Sequence, residues 1–394
     1  MTYIEHRKEV FIIETNIISS SAVGEKINEW YMYIRKFSIP DAEYLRREVK
    51  EELDQMEEDQ DLLLYYSLME FRHNLMLEYL EPLEKLRIEE QPRLSDLLIE
   101  IDKKQSRLTG LLDYYFNFFR GMYELDRREY LLAIQFFKKA EHKLTFVKDP
   151  IEKAEFFFKM SESYYYMKQT YFSMDYARQA YEIYNEHTTY NIRLLQCHSL
   201  FATNFLDLKQ YNEAISHFKK AFSMAQAEQQ PQLMGRTLYN IALCKQSQKE
   251  YESAIEYIER AILVFENAGI IPSLPQSYFL ITDIYYKQGK INKAREYHSK
   301  GVRYSKKVGD SIYLMEFEFL ESLYLLGPDE ETIKKCFVFL ESKMMYADLE
   351  DFALDVAKYY YERENFKKAS SYFLKVEEVR RHIQGGVNLY EIEV

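Results

Sequence analysis

Side chains able to do chemistry are scattered through this 394-residue chain rather than gathered. There is no phosphate-binding glycine loop, no HExxH, no nucleophile elbow and no glycine-rich nucleotide fingerprint. The histidines within the helical stretches, His73, His198, His217 and His298, read as helix-surface or partly buried imidazoles. The cysteines, Cys197, Cys244 and Cys336, lack CxxC spacing and read as small buried hydrophobes. No metal site and no cofactor of its own is expected. Without a self-contained active site, the expected work of the chain is recognition.

Composition narrows the class further. With 11 Gly and 8 Pro the chain is poor in turn formers, so sheets and long loops are disfavoured and an all-α fold is expected. With 36 Tyr and 26 Phe, most of the rings should pack between helices. A net charge of −12 argues against direct nucleic-acid binding and leaves room for a basic protein or a cationic peptide. No apolar run approaches the 18 residues of a membrane span, and the N-terminus MTYIEHRKEVFIIETNIIS carries acids where a signal peptide would be apolar. A cytoplasmic protein without membrane association is expected.

The order behind these residues is a repeat. YNEAISHFKKAF at Tyr211 and YESAIEYIERAI at Tyr251 lie 40 residues apart and share an aromatic, Ala at plus three, an aromatic at plus six or seven and Ala at plus ten. The frame recurs at Tyr130, Thr170, Ile291 and Phe366, and is degenerate around Glu330 to Met345. Twelve positions before each plus-three residue stands a small side chain: Gly121, Ser161, Ala202, Ala242, Thr282 and Ala357. Small residues let paired helices approach closely, so a two-helix unit repeats as a solenoid. This spacing resembles the tetratricopeptide repeat, with a longer period. In that geometry the first helix of each pair lines a groove, and its groove positions are Glu162, Tyr165 and Tyr166, then Thr203 and Asp207, then Arg236, Tyr239 and Asn240, then Asp283 and Tyr286. Polar groups alternating with tyrosine suit an extended peptide: an amide pairs with its backbone and an acid selects its cation.

In chain order, residues 1–20 read as an extension. SSAVGEKINEWYMYIRKF predicts a first helix from Ser21, with Ile27, Trp30, Tyr31 and Ile34 on one face. A charged second helix is expected from Asp41 to about Gln60, and a third from Asp61 to about Leu80. These make a three-helix bundle over 21–80. Residues 81–93, polar and with Pro82 and Pro92, suggest a linker. A tetratricopeptide-like helical-hairpin solenoid follows over 94–385, and 386–394 is a tail.

Several long motifs carry a more specific likeness. MEEDQDLLLYYSLMEFRH at Met56, INEWY at Ile27, FFRGMYE at Phe118, EKAEFFFKMSESYYYMKQTYFSM at Glu152 and the terminal LYEIEV resemble the Rap family of response-regulator phosphatases and inhibitors, quorum-sensing regulators of spore-forming bacteria. The resemblance runs from about Ser19 to the C-terminus. It implies a three-helix bundle joined to a tetratricopeptide-like domain, a response-regulator partner and control by a Phr-type pentapeptide. Some members dephosphorylate a receiver of the sporulation phosphorelay; others hold the DNA-binding domain of the competence regulator off DNA.

Carried onto this sequence, the resemblance makes Gln60 the candidate catalytic residue, its amide orienting an in-line water on an aspartyl phosphate, with Asp59, Leu63 and Phe71 against the receiver. Any divalent metal would belong to the phosphorylated partner. Phe37, Leu80 and Glu84 are the expected contacts to a regulator's DNA-binding domain, and Asp207 and Asn240 match peptide-holding positions. A sequestering inhibitor is the reading favoured here, the phosphatase its alternative, and an adaptor with unrelated ligands a third.

Overall fold

The computed structural model describes residues 18–80, 97–99, 103, 108–187, 189–325, 327–343 and 345–385. The proposed extension up to residue 17, the linker 81–93 and the tail 386–394 lie outside them. Among the described residues the structure is helical, and its β-type pairing is a single parallel bridge between Ile18 and Met56. The chain divides into two compact units, Met1–Glu152 and Lys153–Val394.

The first unit opens with α1 (Ser20–Lys36), α2 (Ile39–Leu53) and α3 (Gln60–Leu80). Ser19 caps α1, its hydroxyl accepting from the Ala22 amide, and the face read from spacing, Ile27, Trp30, Tyr31 and Ile34, is buried. Helix α2 stops at Leu53, earlier than the expected Gln60. The backbone there is drawn into the bridge, with Ile18 N donating to Gln55 O and Glu57 N to Ile18 O. Asp59 then starts α3, its Oδ1 accepting from the Asp61 and Leu62 amides, both at 3.1 Å.

The helix pair α4 (Gly110–Asp126) and α5 (Tyr130–Glu141) completes this unit. It packs on the bundle through rings: Tyr31 lies edge-on to Tyr115 and Phe119, Tyr65 against Tyr115, and Phe71 against Tyr123. At the centre of that contact the Glu152 carboxylate, 1% exposed, accepts from Tyr31 Oη at 2.7 Å and Tyr114 Oη at 3.0 Å. Arg35 Nη1 reaches Asp149 at 2.6 Å and Glu152 at 3.4 Å.

Helix α6 (Pro150–Tyr166) leads into the second unit, with α7 (Thr170–Asn185), α8 (Asn191–Asp207), α9 (Tyr211–Ala227), α10 (Pro231–Ser247), α11 (Tyr251–Asn267), α12 (Leu274–Lys287), α13 (Ile291–Val308), α14 (Ser311–Tyr324), α15 (Glu330–Ser342), α16 (Tyr346–Glu362) and α17 (Phe366–Gly385). The small residues of the repeat frame are buried in both helices of each hairpin, from Gly121 with Ala133 to Ala357 with Ala369. Where both are serine they bond: Ser161 Oγ donates to Ser173 O at 2.6 Å. The closest approach is at Gly301, where an added Cβ would stand 2.0 Å from Cζ of the buried Phe317. In the degenerate stretch, α15 keeps its place by burying larger residues, Ile333, Cys336, Phe337 and Leu340, in the core shared with α12, α14 and α16.

One turn geometry joins the hairpins. Arg128, Lys168, Lys209, Lys249, Gly289 and Glu364 each stand in the left-handed region, with φ between 57° and 71°. At the second of these, Lys168 N donates to Tyr165 O and Gln169 N to Tyr164 O, both at 2.9 Å, the Schellman pairing that satisfies the last carbonyls of a helix.

Candidate functional site

In the bundle, α1 and α3 run side by side in the same direction. Gly24 approaches Leu62, Tyr65 donates to Asn28, and the Trp30 indole donates to His73 Nδ1 at 2.8 Å. His73 Nε2 stands 3.1 Å from Glu43 Oε1, so one imidazole ties all three helices together. Burial lowers its pKa below the usual histidine value.

Gln60 occupies the exposed first turn of α3, and its Nε2 donates to Glu58 Oε1 at 2.7 Å. Asp59 is spent on the cap and Leu63 is half-buried beside it. Phe71 is 1% exposed and belongs to the core between α3 and α4, which corrects its reading as a contact to a partner. Phe37, half-buried with φ 58°, ends α1 at the other end of the bundle. Leu80 is the last residue of α3; its side chain and Glu84 lie outside the described residues. Since α3 rises about 30 Å over its length, Gln60 and Leu80 stand at opposite ends of it.

In the second unit the groove residues fall into two neighbourhoods. Around the first, Asp207 Oδ2 accepts from Lys168 Nζ at 2.8 Å, and that ammonium lies 5.3 Å from the Tyr165 ring centre. Burial, then the Asp207 charge, pushes the Tyr165 phenol up to about 12, with Thr203 at hydrogen-bonding range. Tyr166 is exposed, edge-on to Tyr165, while Glu162 turns to Lys159 at 2.6 Å. On α10, Arg236 is exposed and Asn240 half-buried one turn further on.

The second neighbourhood is an acidic wall on α12, α14 and α16. Glu316 is 3% exposed, and burial together with Asp348 and Asp310 raises its pKa well above the usual carboxylate value. Burial raises Asp348 too, with Lys168 pulling it back down, and Tyr239 and Tyr313 share the Glu316 and Asp348 field. Beside them Asp283 is buried, with Lys287 Nζ at 2.9 Å and Gln246 Nε2 at 2.6 Å; Lys287 also reaches Asp355 at 2.9 Å. Asp283 is therefore a paired strut of the wall, not a free contact for a ligand. Asp351 on the same helix as Asp355 is pushed up to about 6 by burial.

Glu316, Asp348 and Asp351 escaped the sequence reading because their helices flank the degenerate stretch around Glu330 to Met345, and Lys168 because it stands in a turn outside the helix positions read for the groove. A signal was present: Asp348, Asp351 and Asp355 recur at i, i+3 and i+7, one face of a helix. The cysteines are free and buried as expected. No helix among the described residues is long and apolar enough to cross a membrane, and none of their His, Cys, Asp and Glu side chains cluster in threes as metal ligands.

Comparison with known proteins agrees with this architecture. Residues 17–78 match the family described as response regulator aspartate phosphatase H, N terminal, and residues 233–307 match the tetratricopeptide repeat. The chain is 82% identical to Regulatory protein RapF of Bacillus subtilis (strain 168), covering 96% of this chain and 100% of that one. It is 42% identical to Response regulator aspartate phosphatase A of the same strain, covering 95% and 98%. Of solved structures, Aspartyl phosphate phosphatase F from Bacillus subtilis aligns with TM-score 0.70 at 82% identity, over 96% of this chain and 99% of that one. A Rap protein complexed with Competence and Sporulation Factor aligns with TM-score 0.83 at 39% identity, over 93% and 99%. With identity at this level along the full length of its relatives, the chain belongs to the Rap family of response-regulator phosphatases and regulatory proteins.

Proposed function

We propose that this chain is a peptide-controlled negative regulator of a bacterial response regulator, acting in the cytoplasm by holding the regulator's DNA-binding domain away from competence-type genes. The observation that carries the peptide-binding half is Glu316. It is buried in the groove wall, and the charges acting on it, Asp348 and Asp310, are acids. A cationic side chain of a short peptide supplies the counter-charge. The peptide's backbone then runs past Asn240 and Tyr239 toward Asp207. A charge-assisted contact of this kind is worth about 1.5–3 kcal/mol.

The regulator-binding half draws on the bundle. Its second helix is strongly charged, in a chain of net charge −12, which suits a basic DNA-binding domain. Phe37, at the end of α1 away from Gln60, is the described residue assigned to that contact. The 82% identical relative named a regulatory protein supports this reading.

The second reading, hydrolysis of a receiver's aspartyl phosphate, is favoured by Gln60. Its amide is exposed in the first turn of α3, where it donates to the neighbouring, exposed Glu58; exchanging that bond would let it enter a partner's acidic pocket and orient a water. The metal of such a site is the receiver's. One experiment divides the readings: the protein is mixed with a phosphorylated receiver and, separately, with a regulator's DNA-binding domain on labelled DNA. DNA release without phosphate loss is expected, and it should reverse on adding the pentapeptide. Phosphate loss abolished by Gln60→Ala would replace this reading with the enzymatic one. If neither occurs, the chain is an adaptor with other ligands.

A further inference from the structure

Lys168 stands where a ligand's cation is needed. Its ammonium donates to Asp207 Oδ2 at 2.8 Å from the turn of the preceding hairpin and lies against the face of Tyr165. The lysine is part-exposed, as is its partner, so the pair is held in water and exchanges readily. Its backbone is in the left-handed region at φ 58°, a conformation in which a residue with a Cβ is strained; the same turn position three hairpins on is Gly289. At the corresponding Lys209 and Lys249 the backbone amides bond as in Lys168, and among the described residues their side chains make no hydrogen bond or ion pair. Lys168 is thus set apart from its counterparts by a partner, Asp207. Its charge also reaches Asp348 on α16, so one ammonium acts on acids of both neighbourhoods of the groove.

We propose that Lys168 is a built-in stand-in for the ligand's cation, occupying Asp207 in the free protein and displaced when a cationic peptide binds. The inference rests on the peptide-groove reading above. The exchange is one of hydrogen bonds only. An arriving guanidinium takes both oxygens of the Asp207 carboxylate, whereas Lys168 holds one, and the released ammonium returns to water. Lys168 therefore sets a threshold: a ligand offering a single, weakly placed cation gains nothing by the exchange, and one offering a fork does. It determines selectivity without forming part of the bound contact.

The test uses the full chain and a pool of pentapeptides with one fixed arginine and four randomised positions. The binder recovered on the wild-type protein is resynthesised and titrated into wild type, Lys168→Met, Asp207→Asn and the double variant. Lys168→Met, which keeps the aliphatic stem, is expected to tighten binding about two- to fivefold, the range of an exposed ion pair. The same substitution should do nothing on the Asp207→Asn background. Mass-spectrometric mapping of amine labelling should show Lys168 becoming more reactive when peptide saturates the protein. Unchanged or weaker binding by Lys168→Met, or Lys168 labelled less in the complex, overturns the stand-in while leaving the groove in place. If the pool yields no binder, or Asp207→Asn binds as wild type does, the groove reading falls and the stand-in falls with it.

Discussion

Two glutamates of the second unit are equally buried and do opposite things. Glu155, 1% exposed, receives Arg193 Nη2 at 2.5 Å and Tyr184 Oη at 2.8 Å. Glu316, 3% exposed, is surrounded by the charges of Asp348 and Asp310. Burying a carboxylate is costly unless donors replace its water, and Glu155 has them from its own chain. Around Glu316 the charges are acids, and burial with them raises its pKa well above the usual carboxylate value. The difference teaches that burial by itself does not fix the state of an acid; the sign of the surrounding charge does.

The largest expected effect falls on the satisfied site. Arg193→Met should leave Glu155 largely uncompensated and cost about 3–5 kcal/mol, measured by urea unfolding. The matching change at the other site, Glu316→Gln, should leave stability equal or raised, while weakening a cationic pentapeptide about tenfold or more by calorimetry. Equal destabilisation by both substitutions would break the comparison.

pH sharpens it. The folded-state pKa of Glu316 is raised above its ordinary 4.5, so the folded protein holds this proton more tightly than the unfolded chain does. Its contribution to stability is therefore present at low pH and lost as pH rises from about 4.5 through the folded value. Asp351 adds the same trend between 3.8 and about 6. Peptide binding should run the other way, tightening as pH rises and the acids ionise, and Glu316→Gln should flatten that slope in titrations across pH.

The smallest effect belongs to a paired group in the first unit. Burial lowers the His73 pKa, so its stabilising tie to Trp30 is present above 6.5 and lost as pH falls through the folded value. Trp30 is the single tryptophan, and its emission should shift to the red on acidification in wild type. His73→Gln should remove the pH dependence of that shift.

Much of the fold was legible from residue types. The small residues from Gly121 to Ala357 and their counterparts from Ala133 to Ala369 marked every hairpin but one, because close helix approach demands a small side chain wherever it occurs. The exception, α15, fills its place with Cys336 and Leu340, which no frame of alanines announces. The candidate groove positions on α8 and α10, Asp207, Tyr239 and Asn240, follow the frame. Glu316 and Asp348, on α14 and α16, do not, since their helices flank the degenerate stretch around Glu330 to Met345. Phe71 matched a motif position yet is core, because the helix packed against it, α4, comes after a stretch whose length conveys nothing about who covers whom.

Periodicity, caps and turn positions act within a few residues of one another, so the chain's own order determined the helices, their pairing and the groove side of each. The state of a charge is settled by what stands across space from it. Arg193 pairs with a residue 38 positions away, Lys168 with one 39 away, and Glu316 faces an acid from a later helix. Electrostatic energy depends on distance and on the water removed, and neither is defined until the helices have stacked. That is why tertiary structure alone decided which acid is paired by a cation and which one is surrounded by other acids.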